Sequence, residues 1–180
     1  MLPTDPARGE VRDRPTVAEL FADHAAFVWS LLRRLGVPAA DAEDVCQEVF
    51  VTVHRKLPEL ELRAAPRTWL YGIAVRTASD YRRSARVRRE DLGGELPEQP
   101  VGASQHDAAE ARQDLRWLDA TLDALDDAQR AIFVLYEVEE LPMREVAAVV
   151  GCPLQTAYSR LHAARRHVQD AARRREEGAR

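Results

Sequence analysis

Residues 141–166, LPMREVAAVVGCPLQTAYSRLHAARR, constrain the fold more than any other stretch. They predict two short helices joined by a tight turn. Ala147 marks a close approach between the helices that only a small side chain allows. Gly151 supplies the turn, where a left-handed backbone costs a glycine little. Pro153 stands at or just before the second helix, where a missing N–H is not needed. Leu154, Ala157, Leu161, Ala164 and Val168 then recur at helical spacing as one apolar stripe. Gln155, Ser159, His162 and Arg166 fall on another face, with chemistry suited to base edges and phosphates. The segment reads as a helix-turn-helix and implies DNA binding. An ordinary helical hairpin is the alternative for this segment taken alone.

The rest of the chain is also helical in pattern, and β-branched alternation is nearly absent, so the expected fold class is all-α. A first helix is predicted over 17–35, with Leu20, Phe21, Phe27, Val28, Leu31, Leu32 and Leu35 apolar, closed by Gly36 and Pro38. Asp41 is expected to cap a second helix, with Asp44 three residues later as a variant capping box. That helix runs to about Leu57, followed by a loop over 58–66 and a long helix starting near Arg67. Residues 90–106, rich in Gly, Pro and acid, read as a linker. Helices are predicted at about 108–125 and 127–138 before the helix-turn-helix. The expected architecture is two small helical domains, 16–90 and 108–175, joined by a flexible acidic linker over 91–107.

Of the 180 residues, 46% are apolar, ample for a folded core. No apolar run approaches the ~20 residues that cross a bilayer, and the N-terminus lacks the apolar centre of a signal peptide. No membrane insertion and a cytoplasmic location are therefore expected. Cys46 and Cys152 have no metal-ligand spacing and read as buried thiols, so no metal is expected. The scattered histidines form no triad with Ser and Asp. No cofactor is indicated, and the chain is not expected to be an enzyme.

The net charge of −4 conceals a pattern. Between Arg63 and Arg89 there are eight arginines against one acid, Asp80, whereas 90–110 carries six acids and no Lys or Arg. Residues 155–175 turn basic again. Two basic blocks around an acidic one suggest two polyanion-binding surfaces held apart by an acidic strap. In 67–89, Trp69, Tyr71 and Tyr81 interleave with arginines, a chemistry that stacks unpaired bases and holds phosphates. The alternative is core aromatics with a solvated arginine face; the arginine excess favours nucleic acid. In 41–57, Asp44, Gln47 and Glu48 are either the solvated face of an amphipathic helix or a polar surface for a partner. Arg165 and Arg166 fit phosphate clamps, while the role of Arg173, Arg174 and Arg175 is left undecided.

In order, DAEDVCQEVF, PRTWLYGIAVRTASDYRR, an acidic linker and LDALDDAQRAIFVLYEVEELPMREVAAVVGCPLQTAYSRLHAARR resemble a bacterial RNA polymerase sigma factor of the small extracytoplasmic-function class. The resemblance runs from about Val17 to Val168. It implies a promoter-specificity subunit that binds core RNA polymerase, recognises promoter DNA and helps to melt it. By this resemblance Asp44, Gln47 and Glu48 dock on the clamp-helices coiled coil of the polymerase. The loop 58–66 takes an extruded base of the −10 element, and Trp69, Tyr71, Arg76, Asp80, Arg82 and Arg83 belong to the helix that melts and reads it. The linker threads toward the RNA exit path. Gln155, Thr156, Tyr158, Ser159 and Arg160 lie nearest the bases of the −35 element, with Arg165 and Arg166 on phosphates. An anti-sigma factor is the implied regulator. Arg76, Ala157 and Tyr158 depart from residues common in the family, which bears on promoter sequence and not on the domain assignment. A dimeric repressor and a protein-interaction module remain the other classes. Two weak DNA surfaces on a flexible strap carry a large ordering entropy, so the free chain is expected to bind DNA poorly until a large enzyme fixes their separation.

Overall fold

A computed structural model of the chain describes residues 15–59, 66–91 and 106–178. The described residues are helical, with no strand among them: α1 (Val17–Arg34), α2 (Ala42–Lys56), a 3₁₀ turn (Leu57–Glu59), α3 (Pro66–Asp91), α4 (His106–Asp123), α5 (Asp127–Phe133), a π turn (Val134–Val138), α6 (Met143–Val150) and α7 (Leu154–Gly178). The expected base-capturing loop lies largely outside the described residues, as do residues 92–105 of the expected linker.

Helix α1 starts at a capping box: the Thr16 hydroxyl accepts from the Glu19 N–H, and the Thr16 N–H donates to Glu19 Oε2 at 2.7 Å. The Thr16 N–H first, and then the Thr16 hydroxyl, which also donates to Glu19 Oε2 at 2.8 Å, hold the Glu19 carboxyl below its usual pKa. The helix ends in a Schellman motif: Gly36, at φ +96°, donates to the Arg33 carbonyl, and Val37 donates to that of Leu32. Val37 is then fully buried and fixes the exit of the chain.

Helix α2 begins where expected, but not for the expected reason. Asp41 occupies the cap position without a side-chain cap bond; its Oδ2 instead accepts from the Tyr81 hydroxyl of α3. A tertiary partner has taken the carboxylate from the local one. Pro66 opens α3, where proline is pre-set for a first helical turn. Asp126 caps α5 through a 2.7 Å bond from the Gln129 N–H.

The helix expected over 127–138 is interrupted. After Phe133 it widens into a π turn, with Glu139 N–H donating to the Val134 carbonyl at 3.0 Å, and Glu140 follows at φ +56°. A wide turn and a left-handed non-glycine residue are both costly local choices. Together they turn Glu139 toward the N-terminal half.

Helix α3 packs on α1 and α2 along one side and on α6 along the other, while α7 packs on α4, α5 and α6. One hydrophobic cluster runs from Leu20 through Leu70 and Ile132 to Ala164. The halves that carry the two basic blocks are in direct contact. Their residual apolar surfaces find each other, and polar groups at the seam are paired. Phe21 and Leu154, both counted in apolar stripes, are 47% and 39% exposed, because they lie at the edges of their stripes. Cys46 is buried, its thiol pushed up in pKa by burial and by Glu43, whereas Cys152 is only half-buried. Among the described residues no helix is long and apolar enough to cross a membrane, and no His, Cys, Asp and Glu side chains gather as a metal site.

Candidate polymerase and nucleic-acid interfaces

On α2, Val45, Cys46, Val49, Phe50 and Val53 turn into the core, leaving Asp44, Gln47 and Glu48 exposed on the outer face. Phe21 stands over Phe50 with ring centroids 4.9 Å apart and remains half open to solvent, as does Val51 at 48%. The acidic patch is thus flanked by apolar surface, which the helix periodicity hid by assigning Phe21 to the core.

Helix α3 divides its expected nucleic-acid residues. Arg76 and Arg83 are exposed, and Asp80 pairs with Arg83 one turn on. Trp69 is half-buried against the core. Tyr71 is covered in this conformation: it is 4% exposed, its ring edge-on to Phe27 at 5.1 Å. Its hydroxyl donates to Glu139 Oε2 at 2.8 Å, and its pKa is pushed up to about 12, by burial first and then by the Glu139 bond. Its neutral hydroxyl is a donor in this conformation. Arg82 is likewise 9% exposed; its Nε lies 3.2 Å from Asp127, and a terminal nitrogen reaches the Leu35 carbonyl. Both residues meet a carboxylate from the C-terminal half.

The helix-turn-helix has the expected geometry. Gly151 at φ +74° donates to the Ala147 carbonyl, and nothing lies within 4 Å of where a side chain would begin. Ala157, Leu161 and Ala164 are buried. The opposite face of α7 exposes Gln155, Tyr158 and Ser159, while Thr156 and Arg160 are half-buried beside them. Tyr158, 49% exposed with Leu154 next to it, offers apolar contact of the kind that fits a thymine methyl. Arg166 is exposed. Arg165 is engaged: its Nε lies 2.5 Å from Glu137, and its guanidinium 5.5 Å from the Tyr136 ring centroid. The Glu137 bond raises its pKa further.

Residues that the sequence reading gave no role join the halves, among them Arg34, Asp127, Arg130 and Glu139. Nothing in local spacing marks them. Among the described residues Arg130 is the largest fully buried side chain, and burial lowers its pKa against the opposing pull of Asp123.

The family comparisons agree with this geometry. Residues 20–88 match the family model Sigma-70 region 2, and residues 115–168 match Sigma-70, region 4. The chain is 33% identical to the ECF RNA polymerase sigma factor SigE of Mycolicibacterium smegmatis over 171 residues, covering 91% of this chain and 64% of that protein. It is 32% identical to the ECF RNA polymerase sigma-E factor of Escherichia coli K12 over 156 residues, covering 79% of each. Among solved structures, the sigma factor RpoE in complex with the anti-sigma factor NepR from Bartonella quintana superposes with a TM-score of 0.70 at 20% identity, over 87% of this chain and 96% of that one. CnrH in complex with the cytosolic domain of CnrY gives 0.63 at 24%, over 86% and 85%. The likeness of the two structures concerns the fold alone; the family models and the sequence relatives carry the assignment. With an exposed acidic helix, an arginine-rich helix and a helix-turn-helix in that order, the chain belongs to the extracytoplasmic-function sigma factors, promoter-recognition subunits of RNA polymerase in transcription initiation.

Proposed function

We propose that this chain docks on core RNA polymerase through Asp44, Gln47 and Glu48 of α2, with the apolar edge of Phe21 and Val51 completing the contact. The arginine face of α3, with Trp69, Tyr71, Arg76, Asp80, Arg82 and Arg83, meets the −10 element. The exposed face of α7 enters the major groove of the −35 element, with Gln155, Thr156, Tyr158, Ser159 and Arg160 toward bases and Arg165 and Arg166 toward phosphates. The working units are residues 16–90 and 108–175, with 91–107 between them. The observation that supports this reading best is the α7 face itself: polar and aromatic side chains left exposed on a helix whose other side buries Ala157, Leu161 and Ala164. The proposal is of a binding and positioning subunit acting in the cytoplasm, without chemistry of its own. An anti-sigma partner is proposed because a relative in fold, RpoE, was solved with one.

The test is size-exclusion chromatography of the protein with bacterial core RNA polymerase, followed by transcription from the promoters it selects. Co-elution and salt-sensitive promoter binding by the complex support the reading. Separate elution of a folded protein sinks it.

A further inference from the structure

Tyr136 and Glu137 stand in the π turn, and both side chains meet Arg165 of α7. Glu137 Oε1 accepts from Arg165 Nε at 2.5 Å, and the guanidinium carbon lies 5.5 Å from the Tyr136 ring centroid. The paired side chains remain open to solvent, Arg165 by 46% and Glu137 by 30%. An ion pair so exposed adds little to stability. What it fixes is direction. A free arginine samples many rotamers, whereas this one is held at Nε by a carboxylate and beside a ring. The terminal nitrogens have no carboxylate partner among the described residues, so the outer edge of the guanidinium keeps donors for an anion.

Arg165 follows the exposed Tyr158 by seven residues and the exposed His162 by three, so it borders the exposed face of α7 on the side of the π turn. A helix about 10–12 Å across fills a major groove about 12 Å wide. Its centre then meets base edges, and its borders meet the phosphates of the groove walls. We propose that Glu137 and Tyr136 are positioning residues for the −35 complex: they hold Arg165 so that its outer edge meets one phosphate when α7 is correctly seated. Glu137 also cancels the long-range charge of Arg165, so the contact favours the seated geometry over random approach to DNA. A phosphate held in this way sets the register in which the neighbouring side chains read bases. The π turn sets the direction in which Tyr136 and Glu137 leave the backbone, and turns of this kind recur at functional sites.

The inference rests on the assignment of α7 to the −35 element, and its test separates the two. Fluorescence anisotropy of the reconstituted polymerase compares a promoter that it transcribes with the same fragment carrying a scrambled −35 segment. Arg165→Ala is expected to weaken promoter binding about tenfold, the loss of one charge-assisted phosphate contact. Glu137→Ala is expected to weaken it about fivefold, as rotamer freedom returns to one side chain, without weakening binding to the scrambled fragment. Glu137→Gln keeps an acceptor for Nε and should bind the promoter as the parent does. In an Arg165→Ala background, Glu137→Ala should add no further loss. A parent that binds both fragments alike ends the −35 assignment, and the inference with it. Arg165→Ala that binds the promoter normally removes the phosphate contact and so overturns the inference. Weakening by Arg165→Ala but not by Glu137→Ala leaves the phosphate contact in place and overturns the positioning role alone. Equal losses on both fragments, or no rescue by glutamine, mark a structural defect and overturn it too. Should Glu137→Ala not fold, Arg165→Lys decides: lysine keeps the charge but lacks the planar fork, and is expected to lose as much promoter affinity as alanine. Normal binding by Arg165→Lys overturns the proposal.

Discussion

Arg130 fills the space that a side chain at Gly36 would need: the nearest guanidinium atoms lie 2.9 Å from the ideal Cβ position. A residue of the C-terminal half thereby dictates glycine in the N-terminal half, over and above the φ of +96° that already favours it. Gly151 has a similar φ, +74°, with nothing within 4 Å. Gly36→Ala is therefore expected to cost about 2–3 kcal/mol and Gly151→Ala about 1 kcal/mol. Urea midpoints measure both. In an Arg130→Ala background the difference should shrink, since only Gly36 touches Arg130.

Asp44→Arg with Glu48→Arg reverses charge on an exposed helix face without touching the core. Thermal stability should change little, by about 0.5 kcal/mol or less per site. Co-elution with core polymerase should be lost. A doubly reversed protein that still co-elutes normally moves the docking surface elsewhere.

Arg160→Ala on α7 is expected to weaken dependence on the −35 element by about 1–3 kcal/mol. The comparison is transcription by the reconstituted polymerase from promoters with and without that element. Undiminished use of it removes Arg160 from the base-reading set.

Leu161 and Leu154 both belong to the α7 stripe by spacing, yet one is 3% exposed and the other 39%. Leu161→Ala should destabilise the fold by about 2–5 kcal/mol, because the cavity lies between α7 and its neighbours. Leu154→Ala should leave stability within about 0.5 kcal/mol. Chemical denaturation of the two variants gives the contrast directly.

Asp119 is half-buried, and burial raises its carboxyl above the usual value, against the pull of Arg130 and Arg33. Its unfolded pKa is about 3.9, so the folded protein loses stability as pH rises from there through the higher folded value, and no further above it. Asp119→Asn cannot ionise and escapes that loss. Relative to the parent, its urea midpoint should be higher at pH 7 than at pH 3.5. An equal difference at both values contradicts the burial effect.

The helix-turn-helix was legible because every feature that makes it is local. Ala147, Gly151 and the Ala157–Leu161–Ala164 spacing act within one or two turns, and the structure has them in place. The exposed faces of α2 and α7 were legible for the same reason. The cap expected from Asp41 failed because Tyr81, on another helix, competes for the carboxylate. The π turn escaped notice because the apolar spacing of 127–138 fits an unbroken helix, and the widening serves a contact outside it. Tyr71 and Arg82 fit a nucleic-acid pattern by type; the carboxylates they meet, Glu139 and Asp127, come from the other half of the chain.

The sequence by itself determined the helical class, the order of the elements, the turn at Gly151 and the family. Periodicity and turn chemistry depend on neighbours within a few residues, and the family motifs are contiguous. Only the tertiary structure decided which charges are spent on each other. Arg34 meets Glu139 across 105 positions, and Arg130 reaches the Arg34 carbonyl across 96. An arginine on a solvated face and one in a buried pair look alike in one dimension. Their difference is made by desolvation and by a partner that folding brings from far along the chain.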